Sequence, residues 1–590
     1  MKRTSVTIVI IALIAGLLSA SEAISGKVRK PFGRVLVQGA RLHGSNGILF
    51  DHNDRLHIAS VIGREIVIMD SRTGKIMDRL GTHAGVETPD DIAFGPPGTP
   101  YEDYLYWTSL LTGEVGRMSP GGVKAGQRVA LGVNPITFSE DGRLFVALDF
   151  LGDALYEIDP SLIEVPILMQ AGLGFLNGMD FGPDGYLYGP IWTRGQIVRI
   201  DVDSEPLQIT PVAEGLGVPA AVKFDSKGRL HTIDTLHGEV LRIDIATGHK
   251  KLIATLEPGL DNLAFDSRDN LFVSSFTDGT ITKILSKKDD DGDDRDYRGD
   301  AGDDECDKDD YDGEARGNDD SDDNKPFTKS RIVSRGGMIA PGGVAVHSSA
   351  YGETVFVGDF LSLREYHKHT GRPISIERHI LTLPGITFPS TVAPDGENLV
   401  LSTWFGNIVQ IWNPKTQTVV DEYEDFSVPL NAIRFQDDLV VAELGTGSVV
   451  RMIEATDEIE TLADGFYVPT GLAASGDDLW IGDWATGVVW QIVTNGVSSM
   501  TPVATGLSQP EGLAVDRDGN LLVVESGAGR LSRINLLTSE TEILFENLEL
   551  GAEGVPGYPP TWIFNGVAVD RSGKIFVTGD IANVLYRFKP

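Results

Sequence analysis

The sequence predicts an all-β fold of two tandem six-bladed β-propellers, each closed by an N-terminal outer strand. Three observations predict it. One phrase recurs about twelve times: a polar or small residue, an apolar run, an Asp-x-x-Gly turn, a second apolar run, and Gly-x-apolar-x-Arg. Its period is about 40–45 residues, which is typical of the four-stranded blade of a propeller. Two further strand-like segments lie outside this repeat and provide the means of closing each ring.

The unit that begins at Ala220 illustrates the four strands. Val222-Lys-Phe, Leu230-His-Thr-Ile, Glu239-Val-Leu-Arg-Ile and Lys251-Leu-Ile alternate apolar and polar residues and contain β-branched side chains. The Asp/Gly-rich segments between them favour tight turns. Each unit is therefore predicted to be one antiparallel blade.

The ends of the repeats suggest how the rings close. The last unit stops at its third strand, Val584 to Phe588, and the strands Arg34-Val-Leu-Val and Arg331-Ile-Val each precede six units. Because a closed ring leaves no free sheet edge, we expect each of these strands to complete the last blade of its own ring. The predicted parts are a signal peptide (1–23), a first propeller (34–286), an acidic linker (287–327) and a second propeller (329–590). The alternative is a single larger ring with the acidic segment inserted in one hairpin between third and fourth strands.

The N-terminal segment is typical of a secretory signal. Lys2 and Arg3 precede an apolar stretch from Val6 to Leu18, and Ser21-Glu-Ala23 offers small residues for cleavage. A retained membrane anchor is the alternative. We expect a periplasmic or secreted protein with no membrane insertion after cleavage, and the single cysteine, Cys306, makes no internal disulfide.

The formal net charge of −35 argues against a nucleic-acid partner, whose phosphates would be repelled. Much of the charge lies between Asp289 and Asp323, where 19 acidic residues face 4 basic ones. Such a segment is predicted to be a disordered linker. Ordered calcium loops are the alternative, although no stretch matches the full twelve-residue calcium-loop pattern.

Two columns of polar residues are expected at one mouth of the first ring, because the first strand of a blade starts on the face where the second strand ends. The first-strand column carries side-chain oxygens in five of its six positions, namely Asn46, Asp90, Asn134, Asn177 and Asp261, with Ala220 as the exception. Such oxygens suit calcium or another divalent cation, and this set is the predicted metal site. Capping of local turns by the same side chains is the alternative.

Three residues are candidates for catalysis. Asp149 and Asp234 end second strands at the same mouth, and His237 follows in a turn. Each is a candidate base for water attack on a metal-polarised carbonyl, while a solvated role is the alternative for the histidine. In the second ring, the corresponding mouth residues are Asn431, Glu511 and Asn565. The long Pro- and aromatic-rich loop from 547 to 564 either covers a ligand or fills a gap between blades.

Several of these stretches resemble a known family. LNGMDFGPDGYLY from Leu176, LDNLAFDSRDNLFVSS from Leu260 and FNGVAVDRSGKIFVTGD from Phe564 resemble the SMP-30/gluconolactonase/LRE-like propellers. That family is similar to the paraoxonase and diisopropyl-fluorophosphatase propellers, while PEGLAVDRDGNL from Pro510 also resembles NHL-repeat and virginiamycin-B-lyase-like propellers.

The resemblance implies six blades and a catalytic calcium held by Glu on the first blade, Asn on the third and fourth, and Asp on the fifth. Asn134 and Asn177 match the third and fourth blades, whereas Asn46 and Ala220 replace the Glu and the Asp. Asp261 lies one blade later and offers a replacement carboxylate.

The expected function is that of an exported, calcium-dependent hydrolase of lactones or related esters, active at the mouth of the first ring. The alternative is a non-enzymatic scaffold that binds a protein or glycan partner. The missing fifth-blade carboxylate separates the two, because a scaffold does not need it.

Overall fold

The computed structural model describes residues 32–286, 327–379 and 385–589. The predicted signal peptide (1–23), the acidic segment from Asp289 to Asp323, and Cys306 lie outside these residues. In the described part of the chain, none of the helices is both long and apolar enough to cross a membrane.

The regular secondary structure of the described chain is almost entirely strand. Its first part contains β1 (Phe32–Gln38), β2 (Ile48–Phe50), β3 (Arg55–Ser60), β4 (Glu65–Asp70), β5 (Ile76–Leu80), β6 (Pro89–Phe94), β7 (Leu105–Ser109), β8 (Glu114–Met118), β9 (Lys124–Arg128), β10 (Val133–Phe138), β11 (Leu144–Leu148), β12 (Ala154–Ile158), β13 (Ile167–Ala171), β14 (Asp180–Phe181), β15 (Leu187–Ile191), β16 (Gln196–Asp201), β17 (Gln208–Ala213), β18 (Pro219–Phe224), β19 (Leu230–Asp234), β20 (Glu239–Ile243), β21 (Lys250–Thr255), β22 (Leu260–Phe265), β23 (Leu271–Ser275), β24 (Ile281–Ser286) and β25 (Phe327–Ser334).

The second part continues the same pattern. It contains β26 (Val344–Ser349), β27 (Gly352–Asp359), β28 (Ser362–His367), β29 (Pro373–Arg378), β30 (Thr391–Asp395), β31 (Asn398–Thr403), β32 (Ile408–Asn413), β33 (Thr418–Tyr423), β34 (Pro429–Phe435), β35 (Asp438–Glu443), β36 (Ser448–Ile453), β37 (Glu458–Asp464), β38 (Pro469–Ser475), β39 (Asp478–Asp483), β40 (Val488–Thr494), β41 (Val497–Ala504), β42 (Pro510–Val515), β43 (Leu521–Glu525), β44 (Arg530–Ile534), β45 (Thr541–Phe545), β46 (Val567–Val569), β47 (Ile575–Gly579) and β48 (Val584–Lys589). Three short 3-10 helices complete the described elements, at Thr82–Ala84, Trp192–Arg194 and Ser526–Ala528.

These strands form twelve four-stranded antiparallel sheets, so the all-β prediction is confirmed. Eleven sheets use four consecutive strands, and the twelfth combines β46, β47 and β48 with β1. The inner strands of sheets one to six contact one another in a cycle that closes between β22 and β2. Those of sheets seven to twelve form a second cycle that closes between β46 and β26. We call these cycles the first ring and the second ring.

The repeated Asp-x-x-Gly turn has a local physical cause. The Asp225 carboxylate accepts hydrogen bonds from the backbone N–H groups of Lys227 and Arg229, at 3.0 and 2.9 Å. Asp516 and Asp570 bind the N–H groups two and four positions later in the same way. A single carboxylate therefore satisfies the backbone donors of the hairpin between the first and second strands.

The prediction that each ring is closed by its own N-terminal strand is wrong. β1 pairs with β48, with Phe32 opposite Lys589, and so completes the second ring. β25 pairs with β24, with Lys283 opposite Arg331, and completes the first ring. The segment from Arg34, predicted to belong to the first ring, thus lies in the second ring. The segment from Arg331, predicted to belong to the second ring, lies in the first. Two open edges and two unassigned strands of similar pattern allow either pairing, because edge recognition relies on backbone groups common to all residues.

Buried contacts also join the two rings. Arg364 of the second ring binds Asp278 of the first ring at 2.7 Å and Asp359 of its own ring at 2.6 Å. Arg378 also reaches Asp278, at 2.8 Å. An apolar cluster crosses the same boundary and includes Leu111 of the first ring with Trp562 of the second. The rings therefore share a core as well as strands.

The pairings β1–β48 and β24–β25 predict that the rings remain associated after the chain is cut between β24 and β25. A specific protease site inserted between residues 300 and 301 would separate β1–β24 from β25–β48. Each ring then takes its outer strand from the other fragment, so both fragments should co-elute with the intact protein in size-exclusion chromatography and separate only in denaturant. Separate elution under native conditions would contradict the observed pairing. A cut chain that also lacks residues 1–39 is the control. It should dissociate more readily, because the pairing of β1 with β48 is lost.

Candidate functional site

A cavity of about 350 Å³ lies between the facing mouths of the two rings. We call it the chamber. Its first-ring wall comes from the starts of inner strands and from the turns after second strands, as the repeat predicted for one common face. Its second-ring wall comes from turns and loops of sheets seven, eight and twelve. Most of the lining is apolar, and the polar exceptions are Asn46, Asp90, Asn177, Thr235, Asp261 and His379.

Two carboxyl groups form the polar part of the first-ring wall. Asp90 stands on β6 and Asp261 on β22, at equivalent positions of two sheets. Burial raises the pKa of Asp90 well above its usual range, and the negative charges of Asp261, Asp91 and Asp149 raise it further. Burial, together with the charges of Asp91 and Asp149, raises the pKa of Asp261 to about 8. Hydrogen bonding to Asn46 opposes both shifts. This wall thus concentrates negative charge.

Asp149 lies beside this pair with one oxygen held and one unpartnered. Its Oδ1 accepts hydrogen bonds from the indole Nε1 of Trp192 and from the backbone N–H of Phe150, both at 2.8 Å. Its buried Oδ2 has no hydrogen-bond partner in the described part of the chain. Burial raises the pKa of Asp149 to about 7, against the hydrogen bond from Trp192. Trp192 and Phe150 both line the chamber, so Asp149 lies directly behind its wall.

The side chains at this wall fit a divalent cation. Asn46, Asp90, Asn177 and Asp261 line one cavity and offer only hard oxygen donors, including two carboxylates that disfavour each other's ionisation. A bound cation would offset the repulsion between the two carboxylates and favour their ionised forms. Asn46 Oδ1 also accepts the Val61 N–H at 3.1 Å, and Asn177 Oδ1 accepts the Gly178 N–H at 2.8 Å. Each amide oxygen retains a second lone pair.

Asn134, the remaining predicted ligand, is buried but is not among the residues that line the chamber. Ala220 lines it with a methyl group where the resemblance implies an aspartate. The carboxylates present are therefore on the second and sixth sheets.

Asp234 and His237 are placed differently from Asp149. The Asp234 carboxylate accepts hydrogen bonds from the N–H groups of Gly217 and Val218, at 2.7 and 3.0 Å, and so caps the loop that enters its sheet. Burial alone would raise the pKa of Asp234, but the hydrogen bonds from His237 and from this loop lower it overall. His237 Nδ1 lies 2.9 Å from Asp234 Oδ2, its side chain is 55% exposed, and this hydrogen bond raises its pKa. Glu239 places a carboxylate oxygen near both, but the three residues lie outside the chamber lining.

The same capping occurs at the acidic residues that end or follow the second strands of the second ring. Asp359, Asp483 and Asp580 each accept two backbone N–H groups from the loop that enters their sheet. Glu443 and Glu525 accept one each. These carboxylates hold loops in place, which the sequence pattern alone did not separate from ligand binding.

The predicted second-mouth residues are partly brought together. Glu511 Oε2 accepts hydrogen bonds from the backbone N–H and the side-chain amide of Asn565, at 2.6 and 2.8 Å. Burial and the nearby charge of Asp580 raise the pKa of Glu511 to about 8. Asn431 lies in a different sheet, on β34. None of the three predicted residues is among those that line the chamber.

Sequence reasoning missed the second-ring wall. Phe360, His379, Phe388 and Phe405 line the chamber, and so does Trp562 from the long loop between 547 and 564. This loop was identified by its length and aromatic content, and its Trp562 does cover the cavity. The other four residues carried no signal, because only the apposition of the rings brings them to the site.

Comparisons with known proteins found no matching family model and no match among curated proteins. Among solved structures, the chain is similar to a gluconolactonase from Xanthomonas campestris at 16% identity and a TM-score of 0.34, over 42% of this chain and 87% of that one. It is also similar to a putative gluconolactonase at 13% identity and a TM-score of 0.34, over 42% of this chain and 90% of that one.

The raised pKa of Asp261 predicts how stability depends on pH without metal. The folded chain keeps this proton up to about pH 8, whereas the unfolded chain releases it near pH 4, so protonation favours folding at low pH. That stabilisation is lost progressively as the pH rises from about 4 to about 8. In EDTA, the thermal midpoint of the wild type should fall between about pH 5 and pH 8 by more than that of Asp261→Asn. Equal falls would show that this carboxyl is not protonated in the folded state. Calcium added at the higher pH should raise the thermal midpoint of the wild type again and have little effect on that of Asp261→Asn.

Proposed function

We propose that the protein is a calcium- or other divalent-cation-dependent hydrolase of lactones or related esters, built on two six-bladed β-propellers and active in the chamber. The observation that carries the proposal is the pair of carboxyl groups, Asp90 and Asp261, that line one otherwise largely apolar cavity. Pockets of this kind, apolar with a few convergent polar groups, are typical of small-molecule sites. The N-terminal signal-like segment supports a periplasmic or secreted location.

The residues would divide the chemistry as follows. Asp90, Asp261, Asn46 and Asn177 would hold the cation, which when bound supplies Lewis-acid polarisation of the substrate carbonyl. Asp149 Oδ2 would accept a proton from the attacking water. The water oxygen forms a bond to the acyl carbon, the ester C–O bond breaks, and the proton passes from Asp149 to the departing alkoxide oxygen.

Asp149 suits this role for two reasons. The hydrogen bond from Trp192 fixes its orientation through Oδ1 and leaves Oδ2, which is buried behind the chamber wall, without a hydrogen-bond partner among the described residues. Its raised pKa of about 7 gives the carboxylate useful basicity near neutral pH. The apolar remainder of the wall would exclude bulk water and strengthen the electrostatic interactions inside.

The cation site predicts a graded loss of affinity. Asp90→Asn and Asp261→Asn should each weaken calcium binding by roughly tenfold or more, because each removes net charge in a desolvated site. Asn177→Ala should weaken it less, since only a neutral donor is lost. Asp234→Asn is the matched control, a carboxylate of the same ring that caps a loop, and it should retain wild-type affinity. Isothermal titration calorimetry measures all four variants. Unchanged affinity in both Asp90→Asn and Asp261→Asn would overturn the metal site.

The proposed base predicts a selective loss of turnover. Asp149→Asn should lower kcat for lactone or phenyl-ester hydrolysis by about 10²–10⁴-fold. KM should change little, because the variant keeps the shape and the Trp192 hydrogen bond. Calcium affinity should fall less than in Asp90→Asn or Asp261→Asn, because the charge of Asp149 acts on the site without lining it. His237→Ala should leave kcat near the wild-type value. Hydrolysis that is absent from the wild type with and without calcium would refute the enzymatic proposal and favour a binding scaffold.

A further inference from the structure

The second ring contributes a compact aromatic wall to the chamber. The Phe360 ring centroid lies 5.5 Å from that of Phe388 and 5.5 Å from that of Trp562. Phe388 also meets Phe405, with centroids 4.8 Å apart. These rings pack against one another, so the wall is fixed before any ligand enters. A ligand at this end of the chamber must present an apolar surface.

One polar atom interrupts this wall. The Nδ1 of His379 lies 2.9 Å from the backbone carbonyl oxygen of Ile386. Because a carbonyl oxygen only accepts, Nδ1 must carry the hydrogen, and Nε2 of the neutral ring is left with a lone pair. Burial lowers the pKa of His379 and so favours this neutral form.

The acceptor of His379 has no partner among the residues that the structure describes. Its Nε2 is buried without a hydrogen bond, and the whole residue is only 9% exposed. The imidazole lines the chamber and packs on Phe388 with ring centroids 4.1 Å apart. An unpaired buried acceptor is uncommon in folded proteins, and a ligand that donates to it removes the deficit.

We propose that the second ring forms a specificity subsite for an apolar ligand that carries one O–H or N–H group, which donates a hydrogen bond to His379 Nε2. This inference rests on the proposed function in one respect only, which is that the reacting ester would lie at the carboxylate wall of the first ring. Molecules with several hydroxyl groups, such as sugar lactones, fit this end poorly because one acceptor leaves their other donors unpaired against aromatic rings.

A matched pair of probes tests the subsite without any reaction. 2-Naphthol and 2-methoxynaphthalene share one ring system, but only the first has a hydrogen to donate. Titration calorimetry in EDTA should show the wild type binding 2-naphthol about tenfold more tightly than its methyl ether. His379→Phe should remove that preference by weakening 2-naphthol alone. His379→Gln, which keeps an acceptor, should retain part of it.

His347→Phe is the control variant. His347 lies in the second ring with a buried, unpartnered Nε2, but it is not among the residues that line the chamber. It should leave both affinities unchanged. Equal binding of the two probes by the wild type, or no binding of either, would overturn the subsite. The wild-type comparison requires no variant, so it stands even if His379→Phe fails to fold.

The outcome is separable from that of the proposed function. A naphthol preference in a protein without hydrolytic activity would support the subsite and remove the enzymatic role. Calcium-dependent hydrolysis without the preference for 2-naphthol would support the enzymatic role and overturn the subsite.

Discussion

The pairing of the N-terminal strand β1 with β48 is the constraint on which the rest of the structure depends. The chain completes the second ring with β1, builds the whole first ring from β2 to β25, and then returns to the second ring at β26, so two covalent connections join the rings. Arg364 adds a buried link between Asp278 and Asp359, and removing it would leave Asp359 as an uncompensated buried charge, a change that typically costs about 3–5 kcal/mol. The two mouths are consequently held face to face, and the chamber has walls from both rings.

Acidic residues at neighbouring positions of the repeat play two physical roles. Those that end second strands, such as Asp234 and Asp483, satisfy backbone donors of the entering loop. At Asp234, the hydrogen bonds from His237 and from this loop outweigh burial and lower the pKa. Those that start inner strands, Asp90 and Asp261, lie at the chamber among other negative charges, which favours the neutral form. Asp149 departs from its column, because its Oδ2 binds no loop. Function is therefore expected where the repeat leaves oxygens unsatisfied.

Sequence reasoning reached the all-β fold because the repeat is local, and each hairpin is specified by residues such as Asp225 within a few positions of one another. The same register grouped Asn46, Asp90 and Asp261 on one face, and all three line the chamber. Pairings between distant strands were beyond it, since β1 and β25 carry the same alternating pattern and either fits either edge. The contribution of His379 was also beyond it, because only contact between the rings gives that residue a site. Whether the grouped residues bind a cation stays a prediction.

The pairing of Phe32 with Lys589 also fixes an order of events in folding. β1 is synthesised before any other described strand, yet its partner edge on β48 appears only after every other described strand has been made. Until then β1 is an unpaired strand with open hydrogen-bonding groups, the kind of edge that invites wrong partners. Completion of the second ring is thus a late, long-range step, and a chain interrupted before β48 cannot conceal its first strand. Its exposed edge would distinguish an unfinished molecule from a finished one for any chaperone or protease that binds extended backbone.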